Sequence, residues 1–109
     1  MQKNLEIATL LDLYGPLLSE KQKNAIEGYY FDDLSLAEIG ENCDISRQGV
    51  SELIKRAEGF LQKAEDTLHL VKIQQESQEI LLQIKSAVLS NDKDKALMLT
   101  DKLQNIIGG

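Results

Sequence analysis

The chain of 109 residues has one cysteine, one histidine and one proline. Each scarcity closes off a class of function. A lone cysteine, Cys43, rules out an intrachain disulfide and fits a reducing cytoplasm. It falls on an apolar stripe, where it serves as a small hydrophobe, and neighbouring Glu41 and Asp44 argue against a reactive thiolate. His69 has no second histidine, cysteine or paired carboxylate at ligand spacing, which leaves no basis for a metal centre; it is expected at the edge of a helix packing face. Gly15, Gly28, Gly40, Gly49 and Gly59 are isolated, so no loop is built to cradle phosphates. Ser19, Ser35 and Ser46 are placed as helix caps and not as members of a triad. No apolar run approaches the roughly 20 residues that span a bilayer, and the N-terminus lacks a basic-then-apolar export pattern. The expectation is a cytoplasmic, non-enzymatic protein with no cofactor and no membrane insertion.

Positive charge is also scarce, with 12 basic against 18 acidic residues and a net charge of -6. That is the wrong sign for affinity resting mainly on phosphate neutralisation. The deficit is uneven. Residues 1–70 hold seven basic and thirteen acidic residues, while residues 71–109 balance at five of each. Within the acidic part, the segment 46–56 is locally positive, with Arg47, Lys55 and Arg56 against Glu52.

That segment ends the most informative stretch, SLAEIGENCDISRQGVSELIKR over residues 35–56. Ser35 with Glu38 three positions on is a capping box, which starts a helix. Leu36, Ile39 and Cys43 recur at helical spacing. Asn42 and Asp44 tolerate a left-handed backbone, so the break is expected between them. Ser46 then caps a second helix whose buried face is Val50, Leu53, Ile54 and Ala57. Two short helices joined by a tight turn make a helix-turn-helix. Its second helix offers Arg47, Gln48 and Ser51 as candidate base contacts and Lys55 and Arg56 for phosphates. An ordinary helical hairpin with solvated polar residues fits the same spacing.

EIGENCDISRQGVSELIKR resembles the helix-turn-helix of sigma factor region 4. The longer run LLDLYGPLLSEKQKNAIEGYYFDDLSLAEIGENCDISRQGVSELIKRAE is similar to the YlxM family of small bacterial proteins. The resemblance covers about two-thirds of the chain and implies DNA binding and an association with the signal recognition particle pathway. Its RNA and its proteins become partners to consider. Two residues depart from the pattern. Gly49 stands in the first turn of the recognition helix, where it costs about 0.5–1 kcal/mol relative to alanine, and Glu52 puts a negative charge beside Gln48 and Ser51.

The remaining elements are helical too. A first helix over about residues 4–14 buries Leu5, Ala8, Leu10 and Leu11 and stops at Gly15-Pro16. A second capping box, Ser19 with Gln22, opens a helix to about Tyr30, anchored by Ala25, Ile26, Tyr29 and Tyr30. Core packing is expected of the Tyr29-Tyr30-Phe31 cluster in preference to base stacking. After Arg56 nothing stops the recognition helix before about Leu70. Ile54, Leu61 and Leu68 recur every seven residues, as do Ala57, Ala64 and Val71. The far half of so long a rod needs cover, for which the C-terminal segment is the obvious candidate. There Ile73, Ile80, Leu81, Ile84, Ala87 and Val88 form one stripe, Asn91-Asp92 a turn, and Ala96, Leu97, Leu99, Leu103, Ile106 and Ile107 another.

The fold class is thus all-α, a sigma factor region 4-like helix-turn-helix domain over residues 1–70 with a long recognition helix and a C-terminal helical extension over 71–109. Two amphipathic helices beyond one small motif favour a homodimer. Two functions remain open: a nucleic-acid-binding regulator of DNA or structured RNA such as signal recognition particle RNA, or an acidic helical adaptor that holds a basic protein.

Overall fold

A computed structural model describes the backbone of residues 2–108 and the side chains of 6–108, so Leu5 lies outside the described side chains. Six α-helices follow in order: α1 Gln2–Tyr14, α2 Glu20–Tyr30, α3 Leu36–Cys43, α4 Arg47–Leu68, α5 Leu70–Leu89 and α6 Lys93–Gly108. A 3₁₀ turn, Gly15–Leu17, separates α1 from α2, with Pro16 at its start. The chain divides into two compact units, residues 1–68 and residues 69–109.

Local chemistry accounts for the boundaries in the first unit. Both capping boxes form. The Ser19 hydroxyl accepts from the Gln22 amide at 3.1 Å and the Gln22 side chain accepts from the Ser19 amide at 3.1 Å. Ser35 and Glu38 repeat this at 3.1 and 3.0 Å. The four first-turn amides of a helix lack intrahelical acceptors, and each box satisfies two donors at once.

The core of this unit joins Ile7, Leu10, Leu11 and Tyr14 of α1 and Leu18 to Ala25, Ile26, Ile39, Val50, Ile54, Ala57 and Leu61. Burial of each large aliphatic member contributes about 1.5–3 kcal/mol. Ala8 is half-buried. The far half of α4 is covered within this unit by α1, which packs along it. Tyr14, 1% exposed, donates its hydroxyl to Glu65 Oε1 at 2.7 Å. Tyr30 of α2 likewise donates to Glu58 Oε2 at 2.9 Å.

Two expectations fail here. Tyr29 and Phe31 are 43% and 46% exposed, so the aromatic cluster is not a core anchor, although Tyr29 meets Tyr30 edge to face with ring centres 5.1 Å apart. The reason is that α3 packs on the glycine side of α2. A β-carbon at Gly28 would lie 3.4 Å from Leu34 Cδ1 and 3.5 Å from Ile39 Cγ1, and the neighbouring aromatics are left at the border. The heptad seam is also shorter than its spacing suggests: Leu61 is fully buried, whereas Leu68 is 50% exposed.

His69 terminates α4. Its backbone is left-handed, with φ 57° and ψ 28°, and it occupies the N-cap position of α5. It is therefore a junction residue and not the edge of a helical face. In the second unit, Ile80 and Ala87 of α5 meet Leu99 of α6, flanked by Ile84, Ala96, Leu103 and Ile106. The hairpin turn uses Asn91 at φ 59°, and the Asp92 carboxylate accepts from the Lys95 amide at 3.1 Å.

Candidate nucleic-acid interface

The bend between α3 and α4 is built on two carbonyls and a missing side chain. α3 ends with Asp44 at φ 58° and ψ 42°, and the Asp44 and Ile45 amides both donate to the Gly40 carbonyl, the second at 3.0 Å. Asparagine and aspartate enter this left-handed region at low cost because their short side chains bond locally. Reversal of the chain brings the Ile45 carbonyl onto α3. A β-carbon at Gly40 would lie 2.6 Å from that oxygen and 3.5 Å from Val50 Cγ2. Gly40 therefore sets the approach of the two helices, a role that isolation from other glycines conceals in the sequence.

Ser46 caps α4 by accepting the Gly49 amide at 3.0 Å, and its carbonyl accepts from Val50 at 3.0 Å. Gly49 is crowded: a β-carbon there would stand 3.2 Å from the Ser46 hydroxyl and 3.7 Å from Ile45 Cβ. Glycine at this position keeps bulk away from the cap.

Val50, Ile54 and Ala57 are buried and Leu53 is half-buried, which fixes the rotation of α4. Arg47, Gln48, Lys55 and Arg56 are exposed, and Ser51 is partly so. At about 100° per residue, side chains four apart form slanting rows. Arg47, Ser51 and Lys55 make one row, and Gln48, Glu52 and Arg56 the next. The five candidates share the outer half of the helix, but Arg47 and Arg56 stand at its two edges, separated by about half a turn and ~13 Å along the axis. Such a spread matches a groove about 12 Å wide, with Arg47, Gln48 and Ser51 in the first turns and Lys55 and Arg56 one to two turns on. Glu52 lies within the second row and tempers its charge. Among the described residues, Arg47, Lys55 and Arg56 make no hydrogen bond or ion pair with another side chain.

A groove of about 310 Å³ runs between α2 and α3, lined by Asn24, Glu27, Asp32, Asn42 and Cys43 among others. Its charge is acidic, opposite to that of the outer α4 face. No cluster of three metal-ligating side chains exists among the described residues, and no described helix is long and apolar enough to cross a membrane.

Comparison with known proteins places this geometry. Residues 1–103 match the family model described as "Putative helix-turn-helix protein, YlxM / p13 like". The chain belongs to this family. Similar relatives include a UPF0122 protein of Clostridium kluyveri, 40% identical over 107 residues that cover 98% of this chain and 96% of that protein. One from Halalkalibacterium halodurans is 42% identical over 98 residues, 90% of each chain. A Thermoanaerobacter relative is 48% identical over 84 residues, covering 77% of this chain and 72% of its own. The match extends well past the turn, so the hairpin of α5 and most of α6 is part of the family's common length.

Proposed function

We propose that this YlxM/p13-like protein is a cytoplasmic, non-enzymatic regulator that binds nucleic acid through the outer face of α4 and acts as a homodimer in the signal recognition particle pathway. The observation that carries the reading is the capped first turn of α4, where Arg47 and Gln48 are exposed directly after the left-handed bend at Asp44. Arg47, Gln48 and Ser51 contact base edges, and Lys55 and Arg56 contact phosphates. The ligand is duplex DNA or structured RNA, with signal recognition particle RNA the specific candidate. On an RNA helix the same face follows backbone and shape, because the deep groove excludes an inserted helix.

The acidity of residues 1–70 supports a second reading, an adaptor whose acidic surface holds a basic protein. Fluorescence anisotropy with labelled duplex DNA and signal recognition particle RNA, each at two salt concentrations, separates the two. The nucleic-acid reading expects saturable binding that weakens with salt and falls about tenfold or more in Arg47→Ala. Binding indifferent to that change removes the α4 face, and no binding to either ligand favours the adaptor.

A further inference from the structure

We infer that one outer face of the α5–α6 hairpin, carrying Leu81, Val88, Leu97 and Ile107, is the surface through which two copies of this chain join. The inference rests on the homodimer of the proposed function and assigns its location.

The four side chains lie on one flank by a simple rule. Each stands one position after a residue of the hairpin's own seam: Leu81 after Ile80, Val88 after Ala87, Leu97 after Ala96 and Ile107 after Ile106. One step turns a helix by about 100°, and in two antiparallel helices that step leads to the same side of the layer. Val88 and Leu97 do share a groove of about 270 Å³ beside the turn, with Ala96 at its base. The opposite flank is polar, where Glu76, Glu79, Gln83 and Lys102 border Ile80 and Ile106. The hairpin thus has one polar face and one more apolar face, where Leu81, Val88, Leu97 and Ile107 stand among Lys85, Thr100 and Gln104, which follow Ile84, Leu99 and Leu103 by the same rule.

That apolar face is uncovered. Leu81, Val88, Leu97 and Ile107 are 51%, 60%, 55% and 63% exposed. A unit of about 40 residues rarely buries enough surface to stand alone, and association is one of the standard remedies. Area and charge identify the occupant. α5 and α6, about 30 and 24 Å long and each about 10 Å wide, offer roughly 540 Å² per copy. Two such faces bury about 1,100 Å², just past the roughly 1,000 Å² that a specific interface should clear. Residues 69–109 carry five basic and five acidic side chains, so two copies meet there without net repulsion. A unit without net charge selects no strongly charged partner, whereas face-to-face packing on itself completes a four-helix bundle with short hairpin turns.

The test is sedimentation velocity on the full chain with helicity followed by circular dichroism. The wild type and Met98→Glu, a control on the other side of α6, are expected to sediment as dimers at micromolar concentration. Leu81→Glu with Leu97→Glu is expected to sediment as a monomer of unchanged helicity. A double variant that stays dimeric overturns the assigned face while leaving the two-copy reading intact; a monomeric wild type overturns both. Ile107→Glu, in the last turn of α6, covers the case in which the double variant unfolds. Its dimer dissociation constant must rise about tenfold, and an unchanged constant overturns the proposal.

Discussion

At the scale of single residues, the bend depends on Gly40 more than on any polar side chain. Gly40→Ala sets a methyl group 2.6 Å from the Ile45 carbonyl, a backbone atom that cannot swing away. Overpacking of this kind costs about 1–3 kcal/mol, and urea denaturation should show that loss despite alanine's better helix propensity. The caps were legible because a serine and a glutamate or glutamine three apart signal one local structure. Gly40 was not, since its partner oxygen arrives only after the chain has reversed. Tyr30 is a second hidden constraint. Burial, then the hydrogen bond to Glu58 and the charges of Glu58 and Tyr29, push its phenol up to about 12. A folded pKa above the unfolded value of about 10 favours the native state fully below pH 10, and the benefit is lost as pH rises from there through about 12. The ultraviolet phenolate titration of Tyr30→Phe should lack one raised transition, and its alkaline loss of stability should be shallower than that of the wild type. Glu38 has the reverse sign. Hydrogen bonds from the Ser35 amide and hydroxyl lower its carboxyl, so the stabilisation from the α3 capping box is present in neutral solution and fades as acid protonates Glu38.

At the scale of elements, α4 shows where periodicity informs and where it misleads. A strict repeat of seven makes Leu61 and Leu68 equivalent, yet α1 covers only the first. Leu61→Ala should cost about 2–5 kcal/mol. Leu68→Ala, at a site 50% exposed, should stay below about 1 kcal/mol, a contrast that thermal or urea unfolding resolves directly. The helix start was legible from Ser46 and its inner face from Val50, Ile54 and Ala57. Its end was not. His69 is neither glycine nor asparagine, the residues that ordinarily mark a left-handed stop, so the sequence runs on helically to about residue 70. The outer rows of α4 were legible from spacing alone, because helix geometry fixes them once the inner face is known. The hydrogen bonds from Tyr14 to Glu65 and from Tyr30 to Glu58 link residues 51 and 28 positions apart. No local pattern reports such pairs, and they rather than an apolar seam steady the polar side of α4 against α1 and α2.

At the scale of the whole molecule, an acidic protein whose local positive charge is confined to residues 46–56 should bind nucleic acid by few ionic contacts, and the number of contacts can be counted. Each neutralised phosphate on B-DNA contributes about -0.9 to the slope of log K against log salt. One copy offers Lys55 and Arg56 to phosphates, giving a slope of roughly -2, and two copies engaging one duplex give roughly -4. The wild type should therefore show the steeper slope on a long duplex. The Leu81→Glu, Leu97→Glu variant should show the shallower one, with weaker overall binding because the second contact is no longer intramolecular. Both changes lie outside the α4 face, so its intrinsic affinity for a short single site should be unaltered. Equal slopes for the two proteins would mean that the copies do not act together on DNA, whatever their state of association. A slope near zero for both would remove phosphate contacts from the mechanism and leave the acidic surface as the working one.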